Sequence, residues 1–169
     1  MLAFKFEHVC IESYALELAP HELSSADIED RLAPLYEKLQ IPFGTLERLS
    51  GIRSRHFYDR SVPPSQIATS VASKALGRIG FGREHVKAVF NCSVTRDFFE
   101  PATAVLVHYN LGFPEDTMAM DITNACIGFS NGMLVLASLI EVGVMKAGLI
   151  VSGETMACLL YTSPSPRDS

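Results

Sequence analysis

Residues 124–134 read NACIGFSNGML, and Cys126 is the side chain in this stretch best suited to covalent chemistry. It stands where a turn of small residues becomes a strongly apolar run. A thiol at the first turn of a helix meets unpaired backbone N–H groups and the positive end of the helix dipole, and both favour the thiolate. The thiolate is the nucleophilic form, so an order of strand, turn, cysteine and helix suits acyl transfer through a covalent intermediate. Backbone amides of the same turn can help build an oxyanion hole. The competing reading is plain packing, because free cysteine is among the most buried residue types and serves as a small hydrophobe. Position alone leaves both open.

The other cysteines offer less. Cys10 and Cys92 fall inside expected strands and are assigned to the core. Cys10, Cys92, Cys126 and Cys158 show no CxxC spacing and no paired histidines, so neither a disulfide framework nor a metal site is expected. A cysteine hydrolase would need a histidine supplied close to Cys126. No spacing among His8, His21, His56, His85 and His108 recommends one, and His56 and His108 are expected to pack or to face solvent.

The elements that must position Cys126 follow from periodicity. A strand is expected over 4–14, then a helix capped by Ser24 or Ser25 with Ile28, Leu32, Leu35 and Leu39 at helical spacing. Pro34 should break that helix. A short helix over 45–50 runs into Gly51, and GIRSRHFYD reads as a turn and short strand. Pro63 and Pro64 introduce a helix over 65–79. Strands over 88–93, 118–122 and 149–152 then alternate with helices over 101–111, with Pro101 at the first position, and over 126–144. Such alternation implies parallel βαβ units in an α/β fold, with ligands gathering at the carboxyl ends of the strands. Cys126 sits at one of those ends. Apolar side chains from Ile127 to Val144 cover nearly all faces of the last helix, so a partner subunit or more chain must cover what one sheet cannot.

Composition bounds the rest. The 169 residues suit one domain, 48% of them hydrophobic, with a formal net charge of -5. No lysine or arginine cluster marks a nucleic-acid partner. The start, MLAFKFEHVC, carries charges where a signal peptide needs an apolar core, and the run over 132–140 is too short to span a bilayer. A cytoplasmic protein without a membrane span is expected. The end, CLLYTSPSPRDS, resembles the translated read-through of a transposase sequencing adapter. Residues 158–169, Cys158 included, are therefore expected to be foreign to the native protein.

DITNACIGFSNGM resembles the nucleophile segment of β-ketoacyl-acyl-carrier-protein synthase III in the thiolase superfamily, and GIRSRHF resembles that family's GIR-x-R segment. EPATAVLVHYNLG and AGLIVSGET fall where their counterparts should. The resemblance covers residues 4–157 and implies the first of two pseudo-repeated halves of a layered αβαβα thiolase-like fold. TRDFFEPATA ahead of DITNACIGFSNGM is most similar to the head-to-head acyl-CoA condensing enzymes of long-chain olefin biosynthesis.

The resemblance implies that Cys126 is acylated by an acyl-CoA or acyl-carrier-protein thioester, and that a carbanion from a second donor attacks it in a Claisen condensation. It gives Glu100 the place of a glutamate that reaches the neighbouring subunit's site as a base, so a homodimer is implied. By residue type alone, Glu100 is an acidic side chain near a helix start, stabilised by the dipole. No cofactor is called for. The family's catalytic histidine and asparagine belong to the second half, so the chain alone is not expected to turn over substrate. Arg53 and Arg55 either line a coenzyme entrance or make structural ion pairs. Thr45 and Leu49 stand where the family's coenzyme contacts would be. The alternative is a non-catalytic partner subunit of the same fold, acting through its dimer face.

Overall fold

The computed structural model describes residues 5–155, so the segment over 158–169 and Cys158 lie outside the described residues. The chain divides into two compact units, Glu17–Arg60 and the remainder.

The smaller unit opens with β1 (His21–Ser24), which pairs antiparallel with β2 (Ser54–Phe57), His21 facing Phe57 and Ser24 facing Ser54. Between them run α1 (Ser25–Arg31), α2 (Ala33–Leu39) and α3 (Thr45–Ser50). Ser24 caps α1 in a reciprocal capping box with Asp27. The helical run breaks at Leu32, ahead of Pro34 as expected, and Gly51 stops α3 at φ 68°. Glu29 is buried in this unit and accepts from the Tyr36 hydroxyl and the N–H groups of Gly44 and Leu46, at 3.1, 2.6 and 2.7 Å. Those bonds, with the Leu46 N–H foremost, hold its carboxyl below the usual glutamate range.

The larger unit is built on a parallel sheet. β3 (Val86–Asn91) lies between β4 (Met118–Asp121) and β5 (Ala147–Val151). Alternate side chains of β3 enter different cores. Val89 meets α4 (Pro64–Leu76) and α5 (Thr103–Leu111) through Ala68, Ala72, Ala104 and Val107. Ala88 and Phe90, with Cys92 just beyond the strand, meet α6 (Gly128–Glu141) through Leu136. The order β4-β3-β5 puts α5 and α6, which cross over in opposite directions, on opposite faces, as right-handed connections require.

Four expectations need correction. The described part of 4–14 forms no strand. Its polar groups go to side chains instead of a ladder: Glu141 accepts the Glu7 and His8 N–H groups at 3.0–3.1 Å, and Arg78 donates to the Tyr14 carbonyl at 2.6 Å. Without a strand face to bury it, Cys10 is exposed and not in the core, whereas Cys92 is buried. α5 begins at Thr103, not Pro101, because the Asp121 carboxylate takes the Thr103 and Ala104 N–H groups at 3.0 and 2.8 Å and fixes the helix start there. The Glu100–Pro101 peptide is cis. Finally, α6 spans 128–141 instead of 126–144: Ala125 turns the chain at φ 45° ahead of it, and Gly143, at φ 78°, ends it.

Candidate active site

The C-terminal ends of the three parallel strands form the floor of the site. Asn91, at the end of β3, is fully buried and donates from Nδ2 to Asp121 Oδ1 at 3.2 Å. Ser93 donates to Asn91 Oδ1 at 2.7 Å and accepts the Gly153 N–H at 2.8 Å. One buried chain of hydrogen bonds therefore joins the ends of β4, β3 and β5, and each of these polar groups has the partner that burial demands.

From this floor the chain leaves β4 through Ile122 and Thr123 and turns at Asn124–Ile127. The Ile127 N–H donates to the Asn124 carbonyl and the Gly128 N–H to the Ala125 carbonyl, each at 3.1 Å. Ala125 occupies the left-handed region, which costs an L-residue about 1–2 kcal/mol, so the surrounding packing must enforce it. That packing is visible in α6. A methyl group on Gly128 would stand 3.3 Å from the carbonyls of Cys92 and Ile122, and one on Gly132 would overlap the Cys92 sulfur. Both glycines seat the helix directly on the sheet.

The result is two thiols with opposite environments. Cys126 lies just before α6 and is exposed. No side chain caps α6, and the first of its amides, the Gly128 N–H, is already bonded to the Ala125 carbonyl. Cys92 lies beneath Gly132. Burial, and secondarily the Asp121 charge, pushes its thiol up to about 11, where it is inert at neutral pH.

The second predicted residue, Glu100, stands on the loop between β3 and α5. It is exposed and follows the exposed rings of Phe98 and Phe99. The loop itself is tied down. Val94 and Thr95 donate to Glu154, Asp97 accepts the Ser65 N–H at 3.0 Å, and Arg96 Nη2 donates to Thr123 Oγ1 at 3.3 Å. The last bond links the Glu100 loop to the Cys126 loop. Among the described residues no hydrogen bond or ion pair joins Glu100 to Cys126 themselves. Pattern reading missed Asp121, Asn91 and Arg96. Only the DIT preceding the cysteine segment hinted at Asp121, since a carboxylate at a strand end faces whatever helix starts beside it.

The remaining candidates serve local structure. Arg53 pairs with Glu47 at 3.6 Å, and Arg55 donates to Ser25 Oγ at 2.9 Å, both inside the small unit. His56 Nδ1 is 2.9 Å from the Ala19 carbonyl, and His108 Nε2 is 3.0 Å from that of Pro114. His8, His21 and His85 lie beside Glu141, Asp59 and Glu84. Among the described residues no cluster could hold a metal ion, and no helix is long and apolar enough to cross a membrane.

A cysteine-bearing turn at the C-terminal edge of a parallel sheet, followed by a glycine-seated apolar helix, gives the chain a thiolase-like fold, of which it has the N-terminal half. A solved structure of Xanthomonas campestris OleA superimposes with a TM-score of 0.85 at 39% identity, over 90% of this chain and 44% of that one. A cerulenin-bound structure of the same protein agrees equally, at 40% identity and TM-score 0.85. The sequence is 43% identical over 151 residues to the acyl-CoA:acyl-CoA alkyltransferase of Shewanella oneidensis, covering 89% of this chain and 43% of that protein. Against the Xanthomonas campestris pv. campestris alkyltransferase it is 41% identical over 162 residues, or 96% and 48% of the two chains. A β-ketoacyl-acyl-carrier-protein synthase III of Desulfitobacterium hafniense is 33% identical over 111 residues, covering 66% of this chain and 33% of that protein. The chain thus spans less than half the length of the curated relatives it matches. No protein-family model matches it.

Proposed function

We propose that this chain is the N-terminal half of an acyl-thioester condensing enzyme in which Cys126 is the nucleophile and Glu100 a base. The Cys126 thiolate attacks the carbonyl of an acyl-CoA or acyl-carrier-protein thioester. A bond forms from its sulfur to the acyl carbon, the carbon–sulfur bond of the donor breaks, and the donor thiolate leaves, taking up a proton. Backbone amides near Cys126 stabilise the oxyanion formed on the way. A second acyl thioester then loses an α-proton to Glu100. Its carbanion attacks the acyl-cysteine carbonyl, a carbon–carbon bond forms, and Cys126 leaves as thiolate. Glu100 serves the site of a second copy, in a cytoplasmic homodimer, and the other half of the fold supplies the groups that complete each site.

The exposure of Cys126 on an enforced turn, in contrast to a second thiol kept inert, carries the reading. The solved OleA structures add support. They include variants with one glutamate or one cysteine replaced, and those two positions stand the same number of residues apart as Glu100 and Cys126. A histidine replaced in other variants follows that cysteine by more positions than this chain has residues after Cys126.

The test is intact-mass analysis of the complete enzyme after mixing with a long-chain acyl-CoA. One acyl group per chain, mapped to Cys126 and abolished by Cys126→Ala, is the expected result. Label on another residue, or none, would overturn the reading.

A further inference from the structure

We propose that Asp121 is a positioning residue that holds the Glu100 loop and the Cys126 loop in register, acting through Glu100 and not on the substrate. The inference rests on the functional reading above. Asp121 closes β4 and leads directly into the turn that presents Cys126. Its Oδ1 accepts the Ala104 N–H at 2.8 Å and the Asn91 amide at 3.2 Å, and its Oδ2 accepts the Thr103 N–H at 3.0 Å. Three donors engage the carboxylate and hold it in place. Two of them are the first amides of α5, a helix without a side-chain cap of its own.

Only Pro101 and Ala102 separate that grip from Glu100, and proline fixes one of the few torsions between them. On the other side of Glu100, the Asp97 N–H reaches Thr103 Oγ1 at 3.4 Å while the Asp97 carboxylate takes the Ser65 N–H. The loop is therefore clamped before and after Glu100, whose own side chain is left exposed to reach outward. Arg96 on Thr123 is a second tie between the same two loops. A carboxylate that merely capped a helix would be expected to stabilise the fold. One shared between the strand carrying the nucleophile and the loop carrying the base also sets where that base stands.

The experiment separates the two steps in the complete enzyme. Asp121→Asn keeps the shape but turns one acceptor into a donor facing an α5 amide. Acylation of Cys126, read by intact mass, should stay within about twofold of the unsubstituted enzyme. Carbon–carbon bond formation should fall on the order of tenfold, the scale of a small misplacement of a reacting group. In a Glu100→Gln background the same substitution should change condensation by less than about twofold, because residues acting as one unit are not additive. Equal loss of both steps, or additivity with Glu100→Gln, overturns the proposal. If Asp121→Asn does not fold by circular dichroism, Thr123→Val at an exposed position removes the second tie, and the same contrast between steps and the same non-additivity are required of it. Absence of Cys126 acylation in the unsubstituted enzyme overturns the functional reading, and this proposal with it.

Discussion

Two cysteines in opposite environments show how little residue type decides. Cys126 and Cys92 share a thiol, yet one stands exposed on a turn and the other lies under Gly132 with its acidity suppressed to about 11. At that value roughly one Cys92 in a thousand is thiolate at pH 8, while reactivity follows the thiolate fraction. Brief treatment of the folded protein with iodoacetamide at pH 8, followed by peptide mapping, should therefore modify Cys126 and the exposed Cys10 and leave Cys92 untouched. Modification of Cys92 should appear only with denaturant, or as the pH approaches 11. Comparable rates at Cys92 and Cys126 in the folded protein would contradict the environments described here.

Among the elements, the contact of α6 with the sheet is the most sensitive to substitution. Gly132→Ala places a methyl group into the Cys92 sulfur, and such overpacking costs about 1–3 kcal/mol. Chemical denaturation should show that loss, and Cys92→Ala in the same chain should recover most of it by vacating the space. Equal stability of Gly132→Ala and the unsubstituted protein would mean the helix does not sit as described. These elements were largely legible in the sequence. The hydrophobic periods of 88–93, 118–122, 149–152 and 126–144 gave three parallel strands and the helix crossing behind them, because each period is imposed by a local geometry. The misreadings share one physical cause. Alternation over 4–14 signals a strand only if a neighbour pairs with it, and no residue in that stretch reports whether one does. Pro101 fits a helix start, but the start is fixed by Asp121, at the end of β4 and far along the sequence. Cys126 was legible as a candidate from its place between strand and helix. Glu100 became a candidate only through the family resemblance, since its own surroundings show just an exposed acid after two exposed phenylalanines.

For the molecule as a whole, α6 presents Phe129, Met133 and Val135 to the outside, and Val142 and Val144 extend the exposed apolar surface beyond it. Exposed apolar surface favours association. Sedimentation of this chain expressed alone should show concentration-dependent self-association, relieved by Val142→Glu with Val144→Lys without change in helical content. A stable monomer at high concentration would mean that surface is covered. The borrowed carboxylates carry a different implication. Glu29 supplies the start of α3, Asp97 that of α4 and Asp121 that of α5, and none of these helices has a side-chain cap of its own. Each helix start is thus guaranteed by a residue that is native only when another element is native. Fraying, which elsewhere begins cheaply at helix ends, here has no independent place to begin within α4 or α5. Their order is held jointly with the strands and loops that lend the caps, and is surrendered together with them.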